Sequence, residues 1–219
     1  MDQFDVVIRR GDPAAFHAVE PTSSARQAVF FQSNQRTLVL GSSQRLDAVD
    51  MASAHQHSIA VTKRRSGGGG VLLIPDEFVW LDLIIPATDV LWEADVSRSM
   101  DWVGELWKWA VDPWVSSSVV HRAAMQSPLG SSAVCWSTTA SGELVGPHGK
   151  LVGVSQRRTK HIARLQSMCH LVWRPELYAA VLPTVALDDI ARVAQPVPAT
   201  AAQIVERLTE RLADLSSSG

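Results

Sequence analysis

Short runs of β-branched and apolar residues recur along the first 85 positions of the chain and predict strands. Polar residues, glycine or proline bound these runs, as is usual at strand ends. The predicted strands cover residues 6–9, 28–32, 38–40, 59–62, 71–74 and 78–85. A second group of strands is predicted at 118–122, 132–136, 143–145, 151–156 and 162–172.

Two other segments repeat apolar residues at three- and four-residue spacing, which predicts amphipathic helices. The first follows Asp95 or Ser97, either of which can cap its N-terminus, and ends before Pro113. The second begins at a capping box formed by Thr200 and Gln203 and runs toward the C-terminus. Because strands predominate and do not alternate regularly with helices, the pattern predicts an α+β fold. We expect a mainly antiparallel or mixed sheet covered by helices.

Composition adds limits to this picture. The chain has 219 residues, 46% of them hydrophobic, and its 20 Lys and Arg against 22 Asp and Glu leave a formal charge of -2. That balance gives no bulk attraction to nucleic acid or to an anionic membrane, so we expect neither as a partner. The polar N-terminal segment, the lack of a long apolar run and the presence of only Cys135 and Cys169 predict a cytoplasmic protein with free thiols.

A basic, glycine-rich segment lies between two of the predicted strands. It reads Lys63-Arg64-Arg65-Ser66-Gly67-Gly68-Gly69-Gly70. Glycine accepts positive φ and lets backbone N–H groups come close to a ligand, and the flanking cations can bind a carboxylate or phosphate. The segment therefore predicts an anion-binding turn. A solvated hairpin tip is the alternative that a glycine run alone favours.

A second basic segment, residues 149–160, begins with a lysine at the start of an apolar strand. Lys150 is followed by Gly153 at the third position and by a basic end at 157–160. The segment is not a P-loop, because Leu144 stands where the first glycine would be and Leu151 where the Ser or Thr would be. Taken alone, it also fits a solvated turn lysine and an exposed strand end.

Together and in this order, the two segments resemble the lipoate-protein ligase and octanoyltransferase family of the biotin and lipoate ligase superfamily. That family has an Arg-Arg-x-Ser/Thr-Gly-Gly-Gly loop followed by a Lys-x-x-Gly-Ser-Ala-Gln strand. Upstream, Leu-Val-Leu-Gly-Ser-Ser-Gln at 38–44 is similar to the family's Val-Leu-Gly-x-x-Gln segment. The resemblance continues to about Trp173 and so covers most of the chain.

The resemblance implies an α+β domain that holds lipoate or octanoate in an apolar slot, with the carboxyl end between the glycine loop and the lysine. Lys150 would bind the acyl carbonyl oxygen and act in catalysis. A cation aimed at developing oxyanion charge in a dry site stabilises the transition state by roughly 3 kcal/mol. The substrate-binding set that the resemblance implies is Arg64, Arg65, Ser66, Gly67, Gly68, Gly69, Gly70, Gly153 and Ser155. No metal ligand among the protein residues is predicted.

The same resemblance implies a ligase that uses ATP and Mg²⁺ to form an acyl-adenylate. The acyl group then passes to a lysine of a lipoyl carrier domain, of the glycine cleavage H protein or 2-oxoacid dehydrogenase E2 type. We expect residues 1–185 to form the acyl-binding catalytic domain. Residues 186–219 are expected to form a short helical C-terminal tail, with no full accessory domain.

The sequence departs from the ligase pattern, and two alternatives follow. Ligases continue the glycine loop with Ala-Val-x-His-Asp and a Gly-Asn pair, whereas residues 71–77 contain neither His nor Asn. Some family members use no ATP and transfer octanoate through a cysteine in a Cys-Phe context. Here Cys135, followed by Trp136, is the candidate catalytic equivalent. The alternatives are therefore a cysteine-dependent octanoyl or lipoyl transferase between carrier proteins, and a degenerate lipoate-binding relative without turnover.

Overall fold

The computed structural model describes residues 3–22, 24–127 and 133–217 and is built on two β-sheets. The larger is a seven-stranded mixed sheet. Its strands are β1 (Asp5–Gly11), β2 (Gln27–Ser33), β6 (Phe78–Pro86), β7 (Val119–Val120), β8 (Leu144–Gly146), β9 (Gly149–Arg158) and β10 (Ile162–His170). They lie in the order β1-β2-β6-β10-β9-β8-β7. Only β1 and β2 pair in parallel within this sheet, and its other neighbours are antiparallel.

The smaller sheet has three strands, β3 (Thr37–Leu40), β4 (Ala60–Lys63) and β5 (Val71–Leu73). They lie in the order β4-β3-β5. The middle strand β3 pairs in parallel with β4 and antiparallel with β5. The glycine loop connects β4 to β5, so it crosses from one edge of this sheet to the other.

Six α-helices lie in the described part of the chain. They are α1 (Pro13–Ala18), α2 (Met51–Gln56), α3 (Arg98–Val111), α4 (Pro175–Val181), α5 (Leu187–Ile190) and α6 (Ala201–Ser217). Asp95 Oδ1 accepts hydrogen bonds from the N–H groups of Ser97 and Arg98, so the predicted cap at the start of α3 is present. Thr200 and Gln203 form the predicted capping box before α6.

The buried side chains form two clusters, one on each face of the seven-stranded sheet. Alternate residues of β6 divide between them, because successive side chains of a strand point to opposite faces. Leu81 and Leu83 join the cluster beneath α3 and α6, which includes the fully buried Trp107. Phe78 and Trp80 join the cluster that contains the small sheet. The site described below lies on this second face.

The architecture confirms the predicted α+β fold with helices covering a mixed sheet. One predicted strand is wrong. Residues 133–136 form no strand, because Val134 makes only an isolated bridge to Gly70 and residues Cys135–Ser137 form a 3-10 turn. Ser132, at the start of that prediction, lies outside the described residues. Apolar runs of four or five residues do not by themselves distinguish a strand from a buried turn.

Candidate functional site

The glycine loop, residues 64–70, is held from inside by the side chain of Arg64. The guanidinium is buried and donates to the carbonyl oxygens of Val39 (3.2 Å), Gly67 (2.7 Å) and Gly69 (2.9 Å). Its Nε also donates to Ser66 Oγ at 3.1 Å. Burial lowers the pKa of Arg64 from its ordinary value. Arg64 therefore fixes the shape of the loop.

The segment after β3, residues 41–44, packs against the same loop. A Cβ on Gly41 would lie 1.8 Å from the carbonyl oxygen of Gly68, so only glycine allows this approach. The N–H of Ser42 donates to Ser66 O, and Gln44 Oε1 accepts from the N–H of Gly41. Gln44 Nε2 in turn donates to Ala133 O on the far side of the loop. The Val-Leu-Gly-x-x-Gln motif is therefore a scaffold for the glycine loop.

Several backbone N–H groups of the loop have no hydrogen-bond acceptor in the described part of the chain. Among the described residues, the N–H groups of Gly67, Gly68 and Gly69 donate to no acceptor, whereas that of Gly70 donates to Ala133 O at 2.7 Å. Gly68 has a φ of 94°, a conformation that favours glycine. Successive free N–H groups in such a turn form a concave anion-binding surface. The loop therefore has the features of an oxyanion or phosphate cradle.

Cys135 lies opposite this loop in the 3-10 turn Cys135–Ser137. Its N–H donates to Gly70 O at 3.0 Å, which fixes the turn against the loop. Its Sγ is 3.9 Å from where a Cβ on Gly68 would be and 3.7 Å from where one on Gly153 would be. The side chain is half-buried and lines a narrow cleft of about 20 Å³. Gly153 thus leaves room for the thiol between β9 and the loop.

Lys150 lies behind this turn, fully buried, at the start of β9. Its Nζ is 2.9 Å from both carboxylate oxygens of Glu143. The same ammonium donates to the carbonyl oxygens of Cys135 (2.6 Å) and Thr138 (2.7 Å). It also lies 5.5 Å from the centre of the Trp136 ring. An ammonium has three donors, and here four acceptors surround it.

The cleft is lined mainly by apolar side chains, and its floor also includes the polar side chains of Ser155 and Gln166. Ser66 Oγ donates to Gln166 Oε1 at 2.9 Å, and Ser155 Oγ donates to Ser66 Oγ at 3.2 Å. Arg65, in contrast to Arg64, points away from the floor and forms an ion pair with the partly exposed Glu20. The hydrogen bond from Arg65 lowers the pKa of the Glu20 carboxyl. One cation of the glycine loop is therefore internal and the other is at the rim.

The structure brings most of the predicted site residues to one place. Arg64, Cys135, Gly153 and Ser155 line the cleft. Ser66 and Gly68 lie against Ser155 and Cys135, Arg65 is at the rim, and Lys150 lies behind the turn. Sequence reasoning did not select Glu143, the partner of Lys150, or the buried Asp82, Arg164 and Gln166 on the same sheet face. A signal for Asp82 was present in the sequence, because a charged residue interrupts the otherwise apolar run of β6.

Two further properties follow from the described ranges of the chain. Within them, no group of three or more His, Cys, Asp and Glu side chains could hold a metal ion. No helix in those ranges is long and apolar enough to cross a membrane.

The fold is shared with lipoate-protein ligases of known structure. A T. acidophilum protein solved with bound lipoic acid superposes with a TM-score of 0.74 at 12% identity, covering 99% of this chain and 87% of that one. A lipoate-protein ligase A bound with ATP gives 0.76 at 12% identity, with coverage of 99% and 86%. The bipartite lipoate protein ligase of T. acidophilum gives 0.75 at 11% identity, with coverage of 99% and 85%.

The molecule thus has the fold of the ligase and transferase superfamily, with a glycine loop and a cysteine at one cleft and a buried lysine behind it. Residues 14–215 match the model of the lipoyl protein ligase A/B catalytic domain, and the chain belongs to that family. This confirms the resemblance seen in the sequence motifs. No curated protein sequence matches the chain significantly.

Proposed function

We propose that this protein transfers a medium-chain acyl group, such as octanoyl or lipoyl, through Cys135 to a lysine of a lipoyl carrier domain. The observation that carries the proposal is the position of the Cys135 thiol. It lies in the cleft between Gly68 and Gly153, next to loop N–H groups that have no acceptor among the described residues. A nucleophile beside free backbone donors is the arrangement that acyl transfer requires.

The reaction proceeds in two steps, formation of a thioester on Cys135 and transfer of its acyl group to the acceptor lysine. In the first, the Cys135 thiolate attacks the carbonyl carbon of an acyl thioester on a donor carrier, and the donor thiol leaves with a proton from solvent. In the second, the neutral amine of the acceptor lysine attacks the Cys135 thioester, an amide forms, and the cysteine thiol is restored with the amine's proton. The Gly67, Gly68 and Gly69 N–H groups would stabilise the oxyanion in both steps.

Lys150 supports this chemistry as a positioning residue. Its Nζ holds the carbonyl oxygen of Cys135 at 2.6 Å and so sets the orientation of the turn that carries the thiol. The role implied by the resemblance, in which Lys150 binds the acyl oxygen itself, would require the ammonium to release one of its four acceptors. We therefore propose binding of the acyl oxygen as a second role of Lys150. It requires the lysine side chain to rotate away from Glu143 or from one of the two carbonyl oxygens.

The second candidate function is ATP-dependent ligation through an acyl-adenylate. The loop N–H groups that have no acceptor among the described residues favour it as well. The loop N–H groups, with Arg65 and Arg157 at the rim, fit the phosphate of an adenylate. Mg²⁺ keeps several waters and binds mainly through substrate phosphates, so a cluster of protein carboxylates is not needed. ATP would supply the leaving group that makes a free carboxylate reactive.

The decisive experiment measures the mass of the protein after mixing it with an octanoylated carrier protein. We expect an acyl adduct that hydroxylamine removes, and we expect Cys135→Ser to abolish both the adduct and transfer to an apo lipoyl domain. Cys169→Ala is the matched control. Cys169 is fully buried, and burial raises the pKa of its thiol to about 12, so its removal should leave the adduct unchanged.

A parallel reaction supplies free octanoate or lipoate with ATP and Mg²⁺. If Cys135→Ser retains full ATP-dependent modification of the lipoyl domain and the wild-type protein never carries an acyl adduct, the ligase is correct and the cysteine route is wrong. If neither reaction modifies the lipoyl domain, both candidate functions fail and the lipoate-binding relative without turnover remains.

A further inference from the structure

Strand β1 forms one edge of the seven-stranded sheet. Within the described part of the chain, it pairs only with β2, on its inner side. The Asp5 N–H donates to Arg26 O at 3.1 Å, and Gly11 O accepts from the Asn34 N–H at 3.0 Å. Odd-numbered residues of β1 therefore direct their backbone groups toward β2, and even-numbered residues direct theirs outward. The outward N–H and C=O groups belong to Val6, Ile8 and Arg10.

Apolar side chains accompany the free backbone groups of this edge. Ile8 is 62% exposed and Val6 is 40% exposed. An exposed apolar strand edge is a template for pairing with another strand, and charged side chains are a usual guard against such pairing. β1 carries Asp5, Arg9 and Arg10. Whether these charges prevent pairing depends on the residues that lie opposite them in the partner strand.

Symmetry restricts how two copies of β1 can pair. A two-fold axis perpendicular to the sheet makes the pairing antiparallel and keeps each face of the sheet on the same side in both copies. Residues directly opposite each other must then point to the same face. Because successive side chains alternate, Asp5, Val7 and Arg9 share one face of β1. Val6 and Ile8 share the other face.

One register matches the side chains on both faces. It places Val7 of each copy opposite itself on the two-fold axis. Asp5 then lies opposite Arg9 of the second copy, and Val6 lies opposite Ile8 of the second copy. Pairs of opposite charge and pairs of apolar residues both stabilise neighbouring strands. The outward backbone groups of Val6 and Ile8 also form the hydrogen-bonded pairs of this ladder.

A shift of this register in either direction loses the match. If Val6 lies opposite itself, Asp5 meets Val7 of the second copy, and its charge has no partner. If Ile8 lies opposite itself, Arg9 meets Val7 instead. The charges of β1 therefore select one register and disfavour its neighbours.

The charges of Asp5 and Arg9 are free to pair with a second copy. In residues 3–22, 24–127 and 133–217, neither side chain forms an ion pair. Asp5 accepts a hydrogen bond from the neutral Gln27 Nε2 at 3.0 Å. A carboxylate has two oxygens and accepts further bonds.

We propose that β1 is a dimer interface, at which two copies of this chain join their seven-stranded sheets edge to edge, with Val7 on the two-fold axis. The pairing covers the free edge of both copies. The charges that guard this edge against other strands attract a second copy of the same strand. Because one strand pair buries less area than a standard interface, the dimer dissociates on dilution.

The test is sedimentation velocity of the full chain from about 1 μM to about 200 μM, a range over which a weak dimer dissociates. We expect the mass of a dimer at the upper end and that of a monomer at the lower end. Ile8→Pro should give a monomer throughout, because it removes an outward N–H group but no hydrogen bond to β2. Circular dichroism checks that this variant keeps the fold.

Charge variants test the register. Arg9→Glu places acidic side chains opposite each other at both ends of the strand pair and should weaken the dimer by about 10-fold or more. Asp5→Arg/Arg9→Glu exchanges the two charges and should restore the affinity to within about threefold of wild type. Arg10→Glu is the matched control. It changes the net charge equally but lies opposite the uncharged Phe4, so the affinity should change by less than about threefold.

A disulfide tests the same register without a change of charge. In a Cys135→Ser background, Val7→Cys should form a covalent dimer on mild oxidation, because opposite residues of a non-hydrogen-bonded pair have Cα atoms about 4.5 Å apart. Ile8→Cys should not, since the two Ile8 positions are about 8 Å apart in this register.

A chain that stays monomeric at about 200 μM overturns the proposal and assigns the charges of β1 to guarding the edge. A dimer that persists unchanged in Ile8→Pro overturns it too, as does a disulfide in Ile8→Cys that is absent in Val7→Cys. None of these measurements needs acyl transfer, so their outcome is independent of that of the Cys135 experiment.

Discussion

The Lys150 ammonium and the Glu143 carboxylate form an ion pair with both N–O distances at 2.9 Å, and both side chains are buried. The pair lies between β9, which carries Lys150, and the turn that carries Cys135. A buried charge that loses its partner is strongly destabilising, whereas replacement of the whole pair by apolar residues is often neutral. This contrast separates the structural role of Lys150 from its role in acyl transfer.

We expect Lys150→Met to lower the free energy of unfolding by about 3–5 kcal/mol, because Glu143 is then buried without a countercharge. Urea denaturation measures this loss. The double variant Lys150→Met/Glu143→Gln removes the buried charge and keeps an acceptor for the Val154 N–H, so it should regain most of the stability. If the double variant folds and still transfers acyl groups at the wild-type rate, Lys150 has no part in the reaction. Wild-type stability of the single variant would contradict the buried pair.

A second prediction compares two glycines that differ in their surroundings. Gly41→Ala places a methyl group against the Gly68 carbonyl, so the glycine loop must shift. A displacement of about 1 Å in a reacting group can reduce the rate about 100-fold, and we expect a loss of acyl transfer of that size. Gly67→Ala is the control, since nothing lies within 4 Å of its added Cβ. Equal activity of the two variants would show that the Gly41 contact does not set the loop position.

A third prediction concerns Tyr178 of α4, which contacts β5, the strand that follows the glycine loop. Its hydroxyl accepts a 2.7 Å hydrogen bond from the N–H of Leu72, and both groups are buried. Tyr178→Phe leaves that N–H without its acceptor, which should lower the free energy of unfolding by about 1–3 kcal/mol. Hydrogen exchange at Leu72 should accelerate. An unchanged exchange rate would mean that the N–H finds another acceptor.

Stability should depend on pH through His17 and His170. Burial lowers the pKa of both to about 3, from about 6.5 in the unfolded chain. Below pH 6.5 the unfolded chain therefore binds more protons than the folded one. The free energy of unfolding should fall by about 1.4 kcal/mol per histidine for each pH unit below 6.5. This destabilisation is absent above pH 6.5 and stops growing near pH 3.

Urea denaturation at pH 7.5 and pH 5.5 measures the effect. The difference in unfolding free energy between the two conditions should be about 1.4 kcal/mol smaller in His170→Leu than in the wild-type protein. The same difference in both proteins would mean that His170 titrates normally in the folded state.

The features that sequence predicts well here are those set by local patterns. The caps at Asp95 and Thr200, and the apolar runs that became β6 and β10, depend on residues close together in the chain. The glycine loop was predicted from its place before the Lys150 segment, since a glycine run alone favours a solvated hairpin tip. The prediction failed at 133–136, where an apolar run is buried as a turn by its contacts with Gly70.

The remaining site residues depend on strand register, which no local pattern gives. Asp82 meets Gln166 because β6 and β10 pair antiparallel, and the two residues are 84 positions apart. Glu143 and Lys150 are only seven positions apart. They meet because β8 and β9 form a hairpin with an irregular register between Leu144 and Val145. Such irregularities change which side chains face each other, and their position is not encoded in simple alternation.

The glycine loop joins the two outer strands of a three-stranded sheet, and this geometry limits how the site can evolve. The loop has to span two strand spacings, about 10 Å, and the middle strand β3 sets that span whatever residues the loop contains. An insertion within residues 64–70 would make the loop project further from the sheet but would not change the distance between its two ends. Relatives adapted to bulkier substrates should therefore differ at positions 41–44, where a change moves the loop without altering the loop's own residues.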